Sequence, residues 1–185
     1  MVQYSSPSLI FVLSISCFYY LLFLLLLLAF IFIMSLVGKI STEIGVHATA
    51  DKWFNLFATQ LHNVQNLTDS VHETKLHHGD DWHHNESIKH WTYIVDGKVT
   101  TCQESVESVD EQNKTINYKL FGGDIDNHFK VFKLIFQAID KDHVGAIIKW
   151  SIEYERIGEE VDPPYGYIEY VHKCTRDIDD QLLKA

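Results

Sequence analysis

Near the C-terminus Tyr167, Val171, Cys174, Ile178 and Leu182 follow one another at steps of four, three, four and four residues. That spacing predicts a helix about four turns long with one apolar stripe, and Glu169, Lys173, Arg176, Asp179 and Asp180 occupy its remaining surface. Pro163 and Pro164 suit its first turn. Such a stripe needs a large apolar partner, and the preceding residues supply one as strands. Ile40, Thr42, Ile44 and Val46 alternate with Lys39, Ser41, Glu43 and Gly45, the period of a half-buried strand. Thr49 and Asp51 open a short helix whose Trp53, Phe54, Phe57 and Leu61 form one aromatic face, ending near His62. Alternation resumes at Val71, breaks at HHGDDWHHNES, and returns from Ser87 to Val95, where Asp96-Gly97 is a strong hairpin signal.

A long polar strand from Val99 to Val109, a turn at Asp110 to Lys114, and a strand carrying Ile116, Tyr118 and Leu120 come next; Gly122-Gly123-Asp124 breaks the last. From Phe129 to Ile139, Phe132, Leu134, Phe136 and Ala138 share one face, and in the final strand Ile148, Trp150, Ile152 and Tyr154 do the same. One short helix, seven mostly antiparallel strands and one long helix define an α+β domain whose sheet buries its apolar face against the last helix.

The first 33 residues carry no charge, and from Leu9 to Ile33 only Ser14 and Ser16 interrupt the apolar run. As a helix the run would span roughly 37 Å, enough to cross a bilayer with some tilt. A basic start is missing and the run exceeds an ordinary signal core, so a cleaved signal is the weakest reading. Residues 1–33 therefore read as a hydrophobic segment, either a transmembrane anchor or an extension the working protein lacks, and residues 34–185 as a single domain. Hydropathy alone favours the anchor. Lys39 and Lys52 follow the segment and nothing basic precedes it, which would place the domain on the cytosolic side.

The chain has 15 Lys and Arg against 25 Asp and Glu, a net charge of −10, with no basic cluster of the kind that displaces counterions from phosphates. No nucleic-acid partner is expected. Cys102 and Cys174 read as small packed groups in a reducing compartment, which leaves the sequons at Asn66, Asn85 and Asn113 unused. The histidines His77, His78, His83, His84 and His90 gather around Asp80 and Asp81. Adjacent histidines on a loop seldom converge on one ion, so the stretch reads as a solvated polar loop with no metal or other cofactor expected.

The order GKISTEI, ADKWFNLF, GDDW, SIKHWTY, DGK, TINYKLFGGD, KWSIEYE and RDIDDQLLK resembles the major latex proteins, a plant branch of the Bet v 1 and pathogenesis-related class ten superfamily. The resemblance covers Met34 to Ala185. It implies the helix-grip fold, in which a seven-stranded antiparallel sheet wraps a long C-terminal helix around a large apolar cavity. It also implies a domain that begins at Met34, a cytoplasmic monomer, and a role in defence, stress or hormone response through lipophilic plant metabolites. One departure is that the loop after the second strand keeps only Gly79, where the superfamily is glycine-rich. That loop reads as a rim element near the cavity mouth.

On periodicity alone the inward-facing apolar residues are plain core or pocket wall. The resemblance implies pocket wall, formed by Ile116, Tyr118, Leu120, Phe132, Leu134, Phe136, Ile148, Trp150, Ile152 and Tyr154, closed by Phe57 and Leu61, with Tyr167, Val171 and Cys174 from the long helix. Hydroxyl and indole groups in a largely apolar pocket suit amphiphilic ligands. A few superfamily members condense amines with aldehydes, which requires a cavity lysine with an acid or tyrosine. Lys130 has the parity of Phe132, although a lysine at a strand end is ordinarily solvated. The expected function is therefore non-catalytic binding of a small hydrophobic ligand; a condensing enzyme and a membrane-tethered interaction module are the alternatives.

Overall fold

The computed structural model of the protein describes residues 19–27, 36–79, 81–83, 86–141 and 144–184. The chain divides into two units, Met1–Leu36 and Val37–Ala185. In the first, residues 19–27 are helical. Among the described residues no helix is long and apolar enough to cross a membrane. The anchor expected from Leu9 to Ile33 lies largely outside the described residues.

The second unit runs β1 (Val37–Val46), α1 (Ala50–Thr59), a 3-10 turn (Leu61–Asn66), β2 (Val71–His78), β3 (Ile88–Val95), β4 (Lys98–Asp110), β5 (Thr115–Phe121), β6 (Phe129–Asp140), β7 (Ala146–Arg156) and α2 (Tyr165–Leu182). All seven strands form one antiparallel sheet in the order β1-β7-β6-β5-β4-β3-β2. The helix-grip arrangement implied by the resemblance is the observed one. Register irregularities in β2, β4 and β6 bend the sheet, as an extra residue in one strand must.

Local chemistry accounts for the boundaries. Thr49 caps α1, its hydroxyl accepting from the Lys52 amide. The aromatic face continues past α1 not as α-helix to His62 but as the 3-10 turn, which buries Leu61 and Val64. At the β3–β4 hairpin Asp96 and Gly97 both take positive φ, 51° and 72°, the two-residue turn whose twist matches the flanking strands. Because the loop is that short, the pairing of every residue along β3 and β4 follows from it.

The long helix is held by polar contacts as well as by its stripe. Val171, Cys174 and Ile178 are buried, and so are Thr175 and Asp179. Asp179, expected on the solvated face, accepts from the amides of His47 and Ala48 at 2.8 and 2.9 Å and so ties α2 to the β1–α1 connection. Burial alone would raise its carboxyl pKa, but those amides and the His47 ring hold it below its ordinary value. The Thr175 hydroxyl accepts from the Trp150 indole N–H at 3.0 Å and donates its own hydrogen bond to the Val171 carbonyl.

Candidate functional site

Two aromatic clusters brace the space between sheet and helix. At the α1 end, Phe57 stacks on Phe136 with centroids 4.5 Å apart, and Trp150 meets both rings at 5.5 and 5.1 Å. At the other end Tyr167 of α2 packs 4.8 Å from Phe132, and Phe129 joins Phe132 and Tyr154 at 5.1 and 6.0 Å. Between the clusters lies an internal cavity of about 80 Å³. That is smaller than an ordinary ligand pocket of about 300–1,000 Å³ and smaller than the large cavity that the resemblance implies, because aromatic side chains fill both ends.

Of the residues expected to form the wall, Phe57, Leu61, Tyr118, Leu120, Leu134, Trp150, Tyr167, Val171 and Cys174 border the cavity. Ile116, Phe132, Phe136, Ile148, Ile152 and Tyr154 face the same way and are buried, but do not border it. Phe132 and Phe136 are spent on the two clusters. Tyr154 lies over Gly38 of β1, where a Cβ would fall 2.3 Å from the phenol oxygen. Alternation identifies the face of a strand and not the position along it, so it cannot separate these two groups.

The wall also contains Val64, Trp91, Tyr93, Cys102, Glu104, Tyr170 and Ile178, which were not expected. The hairpin register holds the signal for several of them. A two-residue turn at Asp96-Gly97 sets Trp91 opposite Cys102 and Lys89 opposite Glu104, and these residues share the inward face with Tyr93. Burial pushes the Cys102 thiol up to about 12, the property of a packed group rather than a nucleophile.

Lys89 and Glu104 make this wall unusual. Lys89 has no accessible surface and Glu104 keeps 7% of its own. The ammonium lies 3.9 Å from the carboxylate, close enough for an ion pair but beyond hydrogen-bond length. Burial pushes the Glu104 carboxyl up to about 7 while Lys89 pulls it back, and burial lowers the Lys89 ammonium while Glu104 and Asp81 raise it. Lys89 Nζ, Glu104 Oε1, Trp91 Nε1 and the Tyr118 hydroxyl are all buried with no hydrogen-bond partner among the described residues. Burial, and then the Glu104 charge, raises the Tyr118 phenol well above its ordinary pKa, so that it stays protonated.

Lys130 does not enter the cavity. An irregularity between Phe129 and Val131 breaks the parity of β6, and Lys130 is exposed, 3.1 Å from Glu155. Among the described residues no group of three or more His, Cys, Asp or Glu is arranged to hold a metal ion. His77 and His78 are exposed on β2; Asp80 and His84 lie outside the described residues.

The description "Pathogenesis-related protein Bet v 1 family" belongs to the family profile that matches residues 35–185. MLP-like protein 43 of Arabidopsis thaliana is 37% identical over 80% of this chain and 95% of its own length. The chain spans only 45% of the length of MLP-like protein 28 of the same plant, at 34% identity. Among solved structures, ginseng major latex-like protein 151 from Panax ginseng superposes with a TM-score of 0.75 at 29% identity, covering 80% of this chain and 99% of that one. Norcoclaurine synthase from Thalictrum flavum superposes with a TM-score of 0.61 over 80% of this chain and 88% of that one, and at 18% identity the likeness is one of fold alone.

Proposed function

The chain belongs to the pathogenesis-related Bet v 1 family, and from that premise we propose that it binds and carries small hydrophobic molecules in the cavity between its sheet and α2. The observation that carries the reading is the cavity itself, a space lined mainly by apolar and aromatic side chains from both layers of the fold, whose wall includes three residues with buried polar atoms that lack a partner among the described residues. At about 80 Å³ it admits a ligand larger than one small ring only if its wall gives way. Tyr167 is the residue placed to yield. It borders both the cavity and an open groove formed by the β3–β4 turn and the segment before α2, and its side chain is held by ring contacts with Phe132 and Tyr93 and by a hydroxyl contact to Tyr93 at 3.2 Å. Ligands enter between these two spaces.

Binding is favoured over catalysis because among the described residues no lysine borders the cavity. Lys89 sits behind Glu104, and Lys130 is paired on the outer surface. The buried free thiols of Cys102 and Cys174 suit a reducing compartment, and a cytosolic monomer acting in defence or stress response is the physiological setting we propose. If residues 1–33 are retained, they tether this domain to a membrane from the cytosolic side.

The test uses the full-length chain and an uncharged naphthalene dye, N-phenyl-1-naphthylamine, followed by energy transfer from tryptophan. Leu134→Glu places a charge in the wall at a half-buried position and should abolish the transfer with little change in melting temperature. Val131→Glu, on an exposed position of the same strand, should leave it unchanged. Equal binding by both variants would overturn the carrier reading.

A further inference from the structure

Three buried polar groups without a hydrogen-bond partner among the described residues, Trp91 Nε1, Glu104 Oε1 and the Tyr118 hydroxyl, belong to residues that border the cavity. The register sets them side by side. Glu104 faces Leu120 on β5 while its neighbour Val106 faces Tyr118, and on β3 Trp91 faces Cys102, so Glu104 stands diagonally next to both Trp91 and Tyr118 on one face. Diagonal neighbours are about 7–8 Å apart, a gap that one small polar group can span. Each of the three is at least nine-tenths buried. Leaving such atoms without partners costs about 1–3 kcal/mol apiece, which a ligand that satisfies them recovers.

The chemistry of the three groups selects the ligand. Trp91 only donates, Tyr118 donates or accepts, and Glu104 accepts when ionised and donates when protonated. Lys89, fully buried 3.9 Å behind Glu104, already balances the carboxylate. A cationic ligand would bring a second positive charge to a neutralised site, and an anionic ligand would face Glu104 itself. A carbonyl accepts without donating, so it leaves the ionised carboxylate unmet. A hydroxyl does both, and it serves either protonation state of Glu104, whose carboxyl titrates near 7.

On the premise that the cavity is a binding site, we propose that Glu104, Tyr118 and Trp91, with Lys89 as buried counterion, form a polar subsite that selects neutral apolar molecules bearing an alcohol or phenol hydroxyl. The hydroxyl donates to Glu104 and accepts from Tyr118 or Trp91, and the hydrocarbon body lies along Leu134, Trp150 and Val171. Lys89 takes no part in contact. Its charge pulls the Glu104 carboxyl back down to about 7, so that acid and carboxylate are both present near neutral pH, and it excludes a cationic head.

A one-ring series tests this on the full-length chain: toluene, 4-methylanisole, p-cresol and 4-methylbenzoate, with dissociation constants measured by ligand-observed NMR at pH 7.5. The expected result is p-cresol binding about tenfold or more tighter than toluene and 4-methylanisole, the range for a hydrogen bond to a charged group, and 4-methylbenzoate binding weakest. In Lys89→Met/Glu104→Leu, which removes both charges together, the cresol preference should fall to near unity while toluene binding persists. Tyr118→Phe, which removes a single unpartnered oxygen, should reduce the preference severalfold and serves if the double variant does not fold. Toluene and p-cresol binding equally well, a preference that survives the removal of the Glu104 and Tyr118 polar groups, or benzoate binding tightest would overturn the hydroxyl subsite while leaving the carrier reading intact. Binding of none of the four, toluene included, would overturn both.

Discussion

Replacing Glu104 with glutamine keeps the shape of the side chain and removes its titration, and so isolates the electrostatic cost of burying the carboxyl. Its folded-state pKa of about 7 stands above the reference value of 4.5. The native state therefore holds a proton that the unfolded chain has already released across that window. The sign follows: the contribution to stability is fully present below the unfolded value and is lost as pH rises through the folded one. Between pH 5 and pH 8 the loss amounts to roughly 2–3 kcal/mol, or roughly 5–10 °C in melting temperature for a domain of this size. Lys89 has the opposite linkage, since a depressed ammonium pKa favours the native state at high pH. Comparing Lys89→Met with Lys89→Met/Glu104→Gln removes that contribution. Without Lys89 the carboxyl loses the cation that pulls it back, so the difference between these two variants should be at least as large and should extend above pH 7. The assay is urea unfolding of the full-length chain at one-unit steps from pH 5 to pH 8. Parallel stability profiles with and without Glu104 would refute the assignment of a buried, proton-binding carboxyl.

Further outcomes follow from the same contacts. Lys89→Met/Glu104→Leu should match or exceed the wild-type stability by up to about 4 kcal/mol, whereas Lys89→Met alone should cost about 3–5 kcal/mol once the pH exceeds the Glu104 pKa, which rises when the cation is lost, and the carboxylate stands unpaired; denaturant midpoints distinguish the two. Phe136→Ala removes a ring with no accessible surface that touches Phe57 and Trp150, and should cost about 3–5 kcal/mol in the same measurement. Asp179→Ala strips the partner from two backbone amides and should cost at least about 1–3 kcal/mol at neutral pH. Because the Asp179 pKa is depressed, its contribution is present above the unfolded carboxylate value and lost as pH falls through the folded one, so this variant should lose less stability than wild type on acidification. Tyr167→Ala opens the wall between cavity and groove, and stopped-flow measurement should show faster association of the naphthylamine dye.

Periodicity sufficed for the architecture because each strand buries one face and the C-terminal stripe has no other surface to cover. The Asp96-Gly97 turn even implied that Lys89 opposes Glu104, since a two-residue loop leaves no freedom in register. What it did not imply was which face of β3 turned inward, since Trp91 and Tyr93 alternate with the similarly apolar Ile94 and with Thr92. Lys130 shows how parity fails: one irregularity at the start of β6 turned a residue in phase with Phe132 out to solvent. Asp179 shows how residue type fails, because a carboxylate that meets two backbone amides is stable where an unpaired one is not. The distinction between Leu134, which borders the cavity, and Phe136, which does not, depends on aromatic rings contributed by α1 and α2. No single strand carries that information.

The central claim is that this protein holds a small apolar molecule in its interior, and native mass spectrometry of the chain purified from its own tissue tests it most directly. The account predicts a bound species released intact on collisional activation, with the mass of a neutral, hydroxyl-bearing hydrocarbon skeleton, and its loss in the Leu134→Glu variant expressed in the same tissue. A bare polypeptide mass under gentle ionisation, unchanged after incubation with p-cresol, would contradict it.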